Sequence, residues 1–283
     1  MIARFIAAAT LAASFIAASA GAQTAAELLQ KGIYAQETAG DPDGAIRMFR
    51  QVMASPGVTR EVAAEAQAHI VTTLLQKGDL AGAGREFGKL AHDYADQDKV
   101  VTPMAQKLRS IAGNGPSVVL GAFENGKYHH YWTGVEFTAP PGWSFTRQSA
   151  GEGGVDKVNL ADSSSTTSAA FVTMRRANTK PADIAARLLF RLQDKVTSMR
   201  TASRGYIAYR LRPESVQRTT IGGHPAWSAV GDYVDASGDK MIEYQTFIES
   251  EKAEVFYSVF AAAPDFAAVQ ALFEPVIQST LIP

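Results

Sequence analysis

The sequence predicts an α+β protein of two domains. The first is an N-terminal α-helical repeat module, and the second is a mainly antiparallel sheet flanked by two helices. Three features lead there. From Gln23 to Ala112 apolar residues recur at spacings of three and four, and a residue pattern returns at a fixed offset. The cluster Ala112-Gly113-Asn114-Gly115-Pro116 then breaks the chain. Beyond it the apolar period becomes two, interrupted twice by helix-spaced stripes.

Composition bounds the function classes. The 283 residues carry 27 Lys plus Arg and 28 Asp plus Glu, a formal charge of −1. That near-neutral balance leaves no basic footprint for nucleic acid or an anionic membrane surface. Cysteine is absent, which excludes disulfide staples, thiolate zinc sites, thiol nucleophiles and a lipidated cysteine anchor within these residues.

Residues 1–22 read as an export signal. Arg4 precedes an apolar run from Phe5 to Ala18, and Ala20-Gly21-Ala22 places small residues before a cleavage point between Ala22 and Gln23. The run is shorter than the roughly 20 residues needed to span a bilayer. The expected location is periplasmic or secreted, with no transmembrane segment after signal removal.

The helical module is expected at 23–113. Gly40, Ala45 and Phe49 return as Gly78, Ala83 and Phe87, each 38 residues on. Gly-Asp makes a tight turn between paired helices, with glycine free to take positive φ. The alanine lets the second helix lie close, and the phenylalanine four residues later fills the gap on the same face. These residues resemble the tetratricopeptide repeat, with Pro56 fitting its closing turn in the first copy. That resemblance implies a protein- or peptide-binding surface. A stripe of Met104, Leu108 and Ile111 marks a capping helix at about 101–112. Gly82, Gly84 and Gly88 are expected to serve close helix packing.

A linker is expected at 114–126 and the second domain at 127–283. Strands are expected at 134–138, 143–145, 155–160 and 169–174, then at 206–211, 216–221, 226–234, 241–249 and 255–261. A helix is expected from Pro181, striped by Ile184, Leu188, Leu192, Val196 and Met199. Another runs from Pro264 to about Thr280. The segments Val135 to Trp143, Ile221 to Ala226, and Pro264-Asp265-Phe266 through Gln278-Ser279-Thr280-Leu281 resemble the PsbP/DcrB-like family. The resemblance implies an α/β/α sandwich, no shared catalytic residues, and roles in binding or supporting other proteins.

The search for chemistry assigns no catalytic residue, metal ligand or cofactor. The histidines, His69, His92, His129, His130 and His224, make no HExxH or other ligand cluster. His129 and His130, adjacent on a strand, point to opposite faces. No Gly-x-Ser-x-Gly elbow occurs. Tyr128, Tyr131 and Trp132 are possible interface aromatics, with packing against the sheet or the helical module as the alternative. Arg175, Arg176, Arg187, Arg191 and Arg200 read as a solvated helix face balanced by Asp183 and Asp194, with an anion-binding face as the alternative. The resulting expectation is an exported, non-enzymatic cell-envelope protein that binds or scaffolds another protein through its helical module. A small-ligand binder using the sandwich and an unrecognised hydrolase are the alternatives.

Overall fold

The computed structural model describes residues 24–114, 120–151, 154–165, 168–201 and 206–283. The expected signal segment and the expected cleavage point between Ala22 and Gln23 lie outside the described residues. No described helix is long and apolar enough to cross a membrane.

Among the described residues five helices come first: α1 (Ala25–Glu37), α2 (Pro42–Ala54), α3 (Arg60–Gln76), α4 (Leu80–Asp93) and α5 (Asp98–Asn114). They stack as two helical hairpins closed by α5. The 38-residue period is repeated atom by atom. Gly40 and Gly78 take φ of +66° and +77°, turning the chain between the helices of each pair. Asp41 and Asp79 then cap α2 and α4, accepting the N–H of Gly44 and of Gly82 at 2.8 Å in both cases. A side chain at Gly44 or Gly82 would collide with that capping carboxylate. Ala45, Ala83, Phe49 and Phe87 are all buried. The turn Ser55–Thr59 separates the two copies.

Among the described residues the second half holds eleven strands: β1 (Gly121–Glu124), β2 (Lys127–His130), β3 (Glu136–Thr138), β4 (Trp143–Ala150), β5 (Val155–Asp162), β6 (Ala169–Arg176), β7 (Ile207–Leu211), β8 (Gln217–Ile221), β9 (His224–Val234), β10 (Lys240–Glu249) and β11 (Ala253–Ala262). Helix α6 (Ile184–Thr201) precedes β7, and α7 (Phe266–Gln278) follows β11. The large sheet runs β4-β5-β6-β11-β10-β9-β7, with β8 also on β9, and β1-β2-β3 form a small sheet. Every pairing is antiparallel.

Strand alternation gives the large sheet two unlike faces. Ile242, Tyr244 and Ile248 of β10 join Phe266, Val269 and Phe273 of α7 and Tyr128 and Phe137 of the small sheet in the main core. Trp227, Ala229 and Phe247 point the other way, beneath Ile184 and Leu188 of α6. The layers are therefore α7 with the small sheet, the large sheet, and α6.

Two expectations need correction. The linker drawn at 114–126 contains structure: α5 reaches Asn114, residues 115–119 lie outside the described residues, and 121–126 belong to the β1–β2 hairpin. Asn125 and Gly126 turn it, with φ of +52° and +77°. This Asn-Gly pair is a strong hairpin signal. Four-residue strands carry too little alternation to stand out in the sequence. The helix expected from Pro181 begins at Ile184, after a single 3-10 turn at Pro181–Asp183.

Candidate functional site

The two halves meet along a seam built by the β1–β2 hairpin. Leu120 and Tyr131 leave the sheet domain and join Phe87, Leu90 and Leu108 of α4 and α5 in one apolar cluster. Gly88 makes room for this. A Cβ there would lie 2.9 Å from the Tyr131 ring. Glycine inside a helix costs about 1 kcal/mol against alanine. At Gly88 that cost admits the sheet domain rather than a neighbouring helix.

Beside this cluster runs a buried polar chain. Arg109 of α5 reaches across the seam to Asp156 of β5 and donates to the Gly151 carbonyl at 2.7 Å. Its guanidinium lies 5.5 Å from the Trp132 ring centre. The other oxygen of Asp156 stands 3.3 Å from His130 Nε2. His130 Nδ1 lies 2.7 Å from the Thr133 hydroxyl and accepts the Thr133 N–H at 3.3 Å. Because Nδ1 accepts, the ring carries its N–H on Nε2, which faces Asp156 without completing a hydrogen bond. His130 and Asp156 are buried. The chain joins the modules through charge-assisted bonds.

Above the seam lies an open groove of about 800 Å³. Tyr131, Trp132 and Pro283 give it apolar surface. Its helical wall carries His92, Asp96 and Asp98, and its sheet wall carries Arg175, Arg176 and Lys252. Arg176 bridges the walls, donating to the Ala95 carbonyl at 3.3 Å and standing 3.6 Å from Asp98. Asp96 is held well below the usual carboxylate range by hydrogen bonds from Arg60 and Gln97. Grooves between domains are common binding sites.

The residues singled out by sequence divide clearly. Gly40, Ala45, Phe49, Gly78, Ala83 and Phe87 lie at matched positions inside the helical hairpins. Tyr128 is wholly buried against Phe137 and Phe145, so it offers a partner no surface. Tyr131 and Trp132 pack in the seam and line the groove. His129 and His130 do face opposite ways: His130 is buried, whereas His129 is half-exposed and lies 3.0 Å from Glu136. Among the described residues no group of three or more His, Asp or Glu could hold a metal ion.

The arginines near α6 are not a helix face balanced by Asp183 and Asp194. Arg175, Arg187 and Arg191 all reach Glu254 of β11, and Arg187 also donates to Glu249 at 2.8 Å. The sheet register decides this, because Arg175 of β6 lies directly opposite Glu254. Burial, reinforced by the neighbouring Glu254, raises the Glu249 carboxyl above its ordinary value against the pull of Thr179 and Arg187. The side chain of Arg200 lies outside the described residues. Between α6 and β6–β11 the arginines border a second cleft of about 660 Å³, which meets the groove at Arg175, Arg176 and Asn178.

No family model matches this chain, and no curated protein matches it. Among solved structures it resembles cyanobacterial PsbP from Synechocystis, with 16% identity and a TM-score of 0.44 over 58% of this chain and 99% of that one. It also resembles LpqN of Mycobacterium tuberculosis, described as involved in cell envelope biogenesis. There the identity is 12% and the TM-score 0.33, over 53% of this chain and 83% of that one. A Pseudomonas aeruginosa protein of unknown function, described as a putative regulator, gives 16% identity and a TM-score of 0.34 over 52% and 90%.

Proposed function

We propose that this chain is an exported, non-enzymatic cell-envelope protein that binds an extended segment of another protein. The observation that carries the reading is the groove of about 800 Å³ walled by both modules. Its aromatic and proline surface suits apolar side chains. Its oppositely charged walls suit a segment carrying both signs. Several charged groups near it already pair with one another, Arg60 with Asp96, Arg176 with Asp98 and His129 with Glu136, which favours recognition over proton transfer. Export rests on the charged, apolar and small-residue order of residues 1–22. The helical repeat contributes one wall, so the binding surface belongs to the joined modules and not to the repeat alone.

The test places a photocrosslinking residue at Lys252, in the groove, or at Thr219, on the exposed strand β8. Irradiation in the native envelope should give one discrete adduct from position 252 and none from 219. Adducts of equal yield at both positions, or none at 252, would overturn the reading.

A further inference from the structure

The groove and the cleft under α6 are continuous. Arg175, Arg176, Ala177 and Asn178 line both. Arg175 and Arg176 are neighbours at the end of β6, so their side chains leave opposite faces of the sheet. Arg176 reaches over the groove to the Ala95 carbonyl, and Arg175 reaches Glu254 in the cleft. The two cavities therefore join round the end of the large sheet. There Ala177 and Thr179 donate their N–H groups to the carbonyls of Lys252 and Glu251. Asn178, between them, is exposed and makes no hydrogen bond among the described residues. Its peptide group and its side-chain amide are both open to a passing chain.

Polarity changes along this path. At the groove end Tyr131 and Trp132 offer apolar surface. At the junction Arg176 and Lys252 stand with Asp98 and Glu251. Inside the cleft Arg175, Arg187 and Arg191 are matched by Glu249, Glu254 and Asp183. This middle stretch is polar and balanced in charge, so it suits peptide groups and polar side chains and selects no lone ion. At the far rim Ala186 and Phe190 of α6 are apolar again, and Phe190 is 61% exposed. An exposed phenylalanine at the mouth of a cleft is a natural anchor for an apolar side chain.

We propose that the segment bound in the groove continues round the end of the sheet into the cleft under α6. The partner is then an extended segment with two apolar side chains and a polar stretch between them. One apolar side chain meets Tyr131 and Trp132, the other meets Phe190, and the backbone between them bonds Asn178. This rests on the reading of the groove as a protein-binding site, and continuity with the groove identifies the occupant of the cleft.

The test photocrosslinks the full chain in the native envelope from Ala186, which lines the cleft, beside Lys252 in the groove and Thr219 as the silent control. Positions 186 and 252 should capture the same partner. Mass spectrometry should map both adducts to one segment, within about ten residues of each other, since that length of extended chain spans about 33 Å. Phe190→Ser should lower the adduct at 252 about tenfold by removing the second anchor. Leu272→Ser, the same kind of change at an exposed site on α7, should leave it unchanged. An adduct at 252 with none at 186, a different partner at 186, or indifference of the 252 adduct to Phe190→Ser would overturn the continuation and leave the groove reading standing. Silence at 252 would overturn both.

Discussion

Asp79 holds the second helical hairpin as Asp41 holds the first, and the two positions make a paired experiment. Replacing either aspartate with alanine removes an N-cap and should cost about 1 kcal/mol. Phe49→Ala and Phe87→Ala each empty a buried ring site and should cost about 3–5 kcal/mol. Urea denaturation checks all four, and near-equal losses within each pair are the expected outcome. Glu249 makes a prediction of opposite character to an ordinary salt-bridged acid. Its raised carboxyl binds a proton more tightly in the folded than in the unfolded chain. It therefore costs no stability while protonated, and stability falls as pH rises from the ordinary glutamate value through the raised one. The stability of the native chain relative to Glu249→Gln should fall over that window. A difference that rises or stays flat with pH would contradict the assignment. The repeat residues were readable because a fixed offset of 38 survives in one dimension. The Glu249–Arg187 pair was not, since its members lie 62 positions apart.

Among the elements, the β1–β2 hairpin and α5 decide how the halves join. Arg109 on α5 meets Asp156 on β5, and both side chains are largely buried. Arg109→Met leaves Asp156 buried without its guanidinium and should cost about 3–5 kcal/mol in urea denaturation. Replacing both, Arg109→Met with Asp156→Leu, should recover most of that loss, because buried charge pairs are dispensable together and not singly. The strands β4 to β11 and both flanking helices were legible from periodicity, since each is long enough to repeat its pattern. The β1–β2 hairpin was not read, although Asn125-Gly126 marked its turn. The α6 arginines were assigned to the nearest acids in sequence, Asp183 and Asp194. Strand order instead brings Glu249 and Glu254 beneath them.

At the scale of the molecule, the shared cluster of α4, α5, Leu120 and Tyr131 makes one unit of two architectures. Heating the full chain should give one cooperative transition. The sheet half expressed alone, residues 120–283, should expose Leu120 and Tyr131 and bind a hydrophobic dye that the full chain does not. Two well-separated transitions in the full chain would mean that the seam contributes little. The groove and the arginine cleft both exist only at this scale, because each is bordered by segments far apart in the chain.

By itself, the sequence determined the longer elements, the α+β class and the 38-residue repeat. Backbone hydrogen bonding imposes fixed periods, and apolar residues must follow them to be buried on one face. Only the tertiary structure decided where Tyr128 hides, what Gly88 admits, which carboxylates hold the arginines and where the two cavities lie. Those outcomes depend on strand order and domain docking. Both join residues far apart in the chain, and no local pattern encodes them.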